Sequence, residues 1–108
     1  MQESNGLKSS EFRAKVEELM AQVPLGKVTT YGDLAALVGH PYAARVVGGM
    51  AHHGNPDLPW HRLVNRLGGL ASGYHGGRRE QEERLLAEGI ACTNQIVDNF
   101  DEIRWRPL

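Results

Sequence analysis

Apolar residues recur at helical spacing over residues 10–23. Phe12, Val16, Leu19, Met20 and Val23 form one stripe, the signature of an amphipathic helix with its apolar face on a core. Ser9 or Ser10 can cap it, Glu11 sits in its favourable first turn, and Pro24-Leu25-Gly26 ends it. A shorter helix starts at Thr30-Tyr31-Gly32-Asp33, a threonine cap with an acid three residues on. It carries Leu34, Ala35, Leu37 and Val38 and stops at Gly39-His40-Pro41, where Gly39 suits a C′ position and proline pushes His40 out of the helical region. A third helix runs over about residues 42–53 and closes at Gly54-Asn55-Pro56. Two short helices joined by a tight glycine-containing turn form a helix-turn-helix pattern, which many small domains also use without DNA.

The third helix is poor in side chains: Ala43, Ala44, Gly48, Gly49 and Ala51 leave one side nearly bare. An interior glycine costs a helix about 1 kcal/mol relative to alanine, so the pair suggests close approach by another helix or a nucleic-acid backbone. Arg45 projects from these small neighbours, and the bland alternative is a solvated arginine. Beyond it, residues 60–64 read as extended, and Asn65 to Gly69 as a turn. A glycine-rich loop with Tyr74 and His75 follows, and it lacks the P-loop and dinucleotide signatures. Residues 78–88 read as a helix with Leu85 and Leu86 inward and Gly89 as its C-cap. In the tail, Ile103 and Trp105 alternate with Arg104 and Arg106, which suits a short strand or an extended docking segment. The expected class is mainly α.

At 108 residues, with 41% hydrophobic and 23% charged positions, the chain fits one globular domain over residues 1–108. No apolar run approaches the roughly 20 residues that span a membrane, and residues 1–6 carry no signal-peptide core. The one cysteine, Cys92, excludes an internal disulfide and suits a reducing cytoplasm, where this protein is expected to work. A net charge of −1 argues against a strong non-specific nucleic-acid binder. The charge is segregated, however: residues 40–79 hold Arg45, Arg62, Arg66, Arg78 and Arg79 against Asp57 alone, together with all five histidines. Such a basic island can serve DNA while acidic flanks limit indiscriminate binding. A metal reading would draw on His52, His53, His61 and His75, but adjacent histidines are poor partners for one ion and no H-x-x-x-H pair on one helix is present; neither metal nor cofactor is expected.

Six segments occur in order: residues 26–32 (Gly-Lys-Val-Thr-Thr-Tyr-Gly), Ala44-Arg45-Val46-Val47-Gly48, Asn55-Pro56, Pro59-Trp60-His61-Arg62-Leu63-Val64, Gly73-Tyr74-His75-Gly76-Gly77 and Leu85-Leu86-Ala87-Glu88-Gly89. With them the chain resembles the DNA-binding domain of O6-alkylguanine-DNA alkyltransferases from about residue 9 to residue 91. Within that superfamily it resembles the alkyltransferase-like proteins, which have tryptophan in place of the reactive cysteine. The resemblance implies a small winged-helix-like helix-turn-helix DNA-binding domain. It matches His61 to the histidine that activates the thiol, Glu88 to its carboxylate partner and Asn55 to the brace of the active-site turn. Trp60 stands where the cysteine would be, and indole offers one N–H donor and no thiolate, so no residue is expected to be catalytic. The resemblance further implies that Arg45 enters the base stack and that Tyr31 crowds the phosphate of the rotating nucleotide. Ala44 and Gly48 would line the DNA face. Trp60, His61, Arg62 and Tyr74 would form the lesion pocket, the two aromatic rings stacking on the base or lining an alkyl channel. Two departures stand out: the loop between Val64 and Tyr74 is about one residue longer than usual, and Gln81-Glu82-Glu83 occupies the stretch where the family often has lysine.

The expected function is a non-enzymatic sensor that binds O6-alkylguanine in double-stranded DNA by nucleotide flipping, acts as a monomer, and presents the lesion to nucleotide excision repair proteins. That last partnership is implied by the resemblance alone. The alternatives are a helix-turn-helix transcriptional regulator without lesion specificity, which would be expected to dimerise, and repair through Cys92, which lies outside every pocket segment.

Overall fold

A computed structural model describes residues 9–71 and 73–107; residues 1–6, read above for a leader, lie outside them. Helix α1 (Ser9–Met20) buries Phe12, Val16 and Met20, with Val23 buried just beyond and Leu19 packed at the edge. Both candidate capping serines fall inside the described helix, so its cap lies outside the described residues.

Strand β1 (Thr29–Thr30) pairs in parallel with β2 (Leu63–Val64), Thr29 opposite Leu63 and Thr30 opposite Val64. Thr30 also caps α2 (Tyr31–Val38), its Oγ1 accepting the Asp33 N–H at 3.0 Å. The Asp33 carboxylate takes two bonds from Arg104, at 2.7 and 2.8 Å, which lock α2 to the C-terminal segment. Gly39, at φ +98°, ends α2 in a Schellman turn: its N–H reaches Ala36 O, and that of His40 reaches Ala35 O, each at 2.9 Å. Helix α3 (Ala44–His53) starts two residues later than expected, because Pro41 and Tyr42 are used in the turn. Val47, Met50 and Ala51 face inward, and α1, α2 and α3 pack together as the expected helix-turn-helix corner.

Two cores result. One joins α1–α3 to Trp60, Leu63, Ala71 and Tyr74; the other gathers Val28, Val64, Leu70, Leu85, Ile90 and Val97. Helix α4 (Gly77–Ala87) leads into the second, with Glu88 as C-cap and Gly89 at φ +87°. Leu86 is 60% exposed, contrary to expectation. Adjacent helical residues point about 100° apart, and on α4 the turn that buries Leu85 leaves Leu86 facing outward. Residues 60–62 are not extended but form a 3-10 turn, closed by Arg62 N–H to Pro59 O at 2.9 Å. The tail also differs: Phe100–Ile103 is a short helix, α5, and only Arg104 pairs as a strand, beside Val28. A hairpin of β3 (Cys92–Thr93) and β4 (Ile96–Val97) was not expected; it docks on residues 68–70, with Val97 N–H to Gly68 O at 2.9 Å and Leu70 N–H to Gln95 O at 2.8 Å.

Candidate nucleic-acid interface

The 3-10 turn sends Trp60 one way and His61 with Arg62 another. Trp60 enters the first core, 1% exposed, and its indole N–H donates to Asn55 O at 2.7 Å. Asn55 O also accepts from Leu58 N–H at 3.1 Å, and Asn55 Oδ1 from Asp57 N–H at 2.9 Å, so Asn55 folds this turn on itself. Gly54 makes room for the indole: a β-carbon there would lie 2.9 Å from Trp60 Cζ2 and 2.5 Å from Met50 O.

His61 and Arg62 converge on Glu88. His61 Nε2 lies 2.7 Å from Glu88 Oε2, while Arg62 donates Nε–H to Oε1 at 3.0 Å and Nη2–H to Oε2 at 2.8 Å. The remaining Arg62 nitrogen, Nη1, donates to Val23 O at 2.8 Å. Burial holds the His61 pKa below its ordinary value, against the pull of Glu88. Burial pushes Glu88 up, but the bonds from Arg62 and His61 outweigh it and hold it below its ordinary value. A neutral imidazole facing a carboxylate carries its proton on Nε2. Its Nδ1 is then an acceptor, and it is buried without a partner among the described residues, as is Tyr74 Oη. Burial also raises the Tyr74 phenol. Trp60 and Tyr74 share one core cluster, with Tyr31 packed against it. Both rings are closed off, at 1% and 3% exposure, so neither presents the open stacking face expected of it.

A polar face lies across α3. The Tyr31 ring covers Gly48, 3.9 Å from where a β-carbon would stand. Arg45 precedes Gly48 by three residues, hence on the same helix face, and Ala44, half-buried, precedes it by four. Arg45 is exposed, and its guanidinium has no hydrogen bond or ion pair among the described residues. Burial raises the Tyr31 phenol, and the charge of Arg78 opposes that shift. Arg78 is exposed and has no hydrogen bond or ion pair among the described residues, whereas its neighbours Arg79 and Arg84 are engaged by Glu83 and Glu80. In the sequence Arg78 counted only as one charge of the basic island.

In the sequence Gln81 was noted only within Gln81-Glu82-Glu83, where the family often has lysine. It is fully buried and bonds to Ala71, His61 and Leu63; its place on the inward face of α4, four residues before Leu85, was the signal of this role. Cys92 sits half-buried in β3 against the second core, its thiol pushed up by burial. No group of three or more potential metal ligands occurs among the described residues, and no helix there is long and apolar enough to cross a membrane.

Residues 11–90 match the family model of the 6-O-methylguanine DNA methyltransferase DNA-binding domain. Alkyltransferase-like protein 1 of Schizosaccharomyces pombe is 34% identical over 108 residues, covering 94% of this chain and 100% of that protein. The DNA base-flipping protein of Escherichia coli is 40% identical over 106 residues, covering 96% and 81%. The crystal structure of S. pombe Atl1 in complex with damaged DNA containing O6-carboxymethylguanine superposes with a TM-score of 0.80 at 36% identity, covering 94% of this chain and 100% of that one. The chain therefore belongs to the family of the 6-O-methylguanine DNA methyltransferase DNA-binding domain and, within it, to the alkyltransferase-like proteins.

Proposed function

We propose that this chain binds duplex DNA through the α2–α3 corner, captures O6-alkylguanine by rotating the nucleotide out of the stack, and transfers no alkyl group. One observation carries the reading: Trp60 occupies the turn beside the intact His61–Glu88 pair, its only polar atom committed to Asn55. An indole so placed has neither a thiolate nor an open position for an alkyl group. Tyr31, Gly48 and Arg45 share a bare face of α3 that a phosphate backbone can approach closely, and Arg78 near the start of α4 adds a second exposed cation without a partner among the described residues. The S. pombe relative, solved on DNA containing O6-carboxymethylguanine, and the base-flipping protein of E. coli support the same reading.

A flipped base costs a few kcal/mol to extrude, less when damaged. Arg45 fills the space that it leaves, and Tyr31 crowds the backbone as it turns. The base is received beside Trp60, His61, Arg62 and Tyr74, where His61 Nδ1 and Tyr74 Oη lack partners in the protein; since both rings are closed in the free protein, reception includes a shift of the loop that carries Tyr74. The chain acts as a monomer and hands the bound lesion to nucleotide excision repair, a step supported by the family resemblance alone. Titration of matched duplexes containing guanine or O6-methylguanine tests the core of the reading. Tighter binding of the lesion is expected, with no labelled methyl group on the protein; equal affinities, or a methylated protein, overturn it.

A further inference from the structure

Gln81 stands in the middle of α4 with no solvent exposure, yet it is polar. Its Oε1 accepts from Ala71 N–H at 2.8 Å, and its Nε2 donates to Leu63 O at 2.8 Å and to His61 O at 3.1 Å. Those partners require one acceptor and two donors on one side chain, which a carboxamide supplies and a carboxylate or thioether does not. A buried amide is costly unless it is fully bonded, and an apolar side chain could fill this space beside Leu85. The amide therefore has a job other than filling the core.

The bonds join two segments. His61 lies in the turn that carries Trp60, and Leu63 follows that turn directly as the start of β2; Ala71 anchors the loop leading to Tyr74, whose N–H returns to Ala71 O at 3.1 Å. Glu88 follows Gln81 by seven residues, on the same side of the helix, and grips the His61 and Arg62 side chains. One helix thus holds the turn twice, by side chains through Glu88 and by backbone through Gln81, and only Gln81 reaches the loop as well.

We infer that Gln81 is a positioning residue that fixes the separation of the Trp60 turn from the Tyr74 loop and thereby sets the preference of the pocket for O6-substituted guanines over guanine. The specificity role rests on the proposed lesion-binding reading. It is tested with Gln81→Met and, as a control for general destabilisation, Val97→Ala in the second core. Each is titrated with duplexes containing guanine, O6-methylguanine or O6-benzylguanine, and the Trp60 indole N–H and Tyr74 ring signals are followed by NMR. In Gln81→Met the lesion-to-guanine affinity ratio falls by about tenfold, the worth of one or two lost hydrogen bonds, while guanine affinity holds. Both signals shift in this variant, and Val97→Ala changes neither the ratio nor the signals. Equal loss of both affinities in Gln81→Met and Val97→Ala, or unmoved signals in Gln81→Met, overturns the inference. A wild-type protein without lesion preference overturns the lesion reading and the specificity role together, whereas the coupling of turn to loop still stands or falls on the NMR signals.

Discussion

The ring of Tyr31 lies over Gly48, 3.9 Å from the place where a β-carbon would stand. A methyl group fits there without clash, so Gly48→Ala separates stability from binding. Alanine favours the helix by about 1 kcal/mol, and the thermal midpoint is expected to rise by about 4 °C or more. DNA affinity is expected to fall, because the added methyl thickens the bare face of α3. Calorimetry paired with a binding titration checks both signs; a variant that binds as well as the parent removes Gly48 from the interface.

Arg45 is exposed and makes no polar contact within the described residues. Arg45→Ala should leave the thermal midpoint unchanged while lowering affinity for an O6-methylguanine duplex by about tenfold or more, since the extruded state loses its stack filler. Unchanged affinity would reduce Arg45 to a solvated surface charge.

Arg78, exposed near the start of α4, is expected to act as a phosphate contact. Arg78→Gln should weaken binding to guanine and lesion duplexes by the same factor and reduce the slope of log affinity against log salt by about 1. Titrations across a salt series read the slope directly. An unaltered slope would mean that Arg78 stays off the backbone.

Trp60→Cys would put a thiol next to His61. The turn is built for indole, with Gly54 and Asn55 shaped to it, so the loss of so large a buried ring should cost about 3 kcal/mol or more. Little transfer from methyl-labelled DNA is expected even below the lowered midpoint. Rapid labelling of the variant would show that the pocket still holds catalytic geometry.

Acid should destabilise the fold in two stages. His61 is kept neutral by burial, whereas in the unfolded chain it takes up a proton near the ordinary value of about 6.5. The unfolded state thus binds more protons as the pH falls, so stability is complete above that value and declines towards the depressed folded value. Glu88 and Asp33, both held below the ordinary carboxylate range, add a second decline at lower pH. Denaturant midpoints measured across this range should show the upper stage vanish in His61→Gln; its persistence would assign that stage elsewhere.

Local signals in the chain were enough for α1, for the Thr30 cap and for the α2–α3 corner. A stripe, a capping threonine and a C′ glycine act over three to eleven residues and need no tertiary partner. The absence of a nucleophile beside His61 was equally legible, because it depends only on which residue stands at position 60. Hairpin β3–β4 escaped notice because its turn uses Asn94 and Gln95 at φ 53° and 65°, without the glycine that marks such turns. The closure of Trp60 and Tyr74, the outward turn of Leu86, the Asp33–Arg104 lock and the grip of Gln81 were decided by packing. Their partners stand as far as 71 residues apart along the chain, and no periodicity records which polar groups meet once two cores have closed. So the sequence alone determined that a tryptophan and not a thiol precedes His61, and tertiary structure decided how the turn around that tryptophan is held.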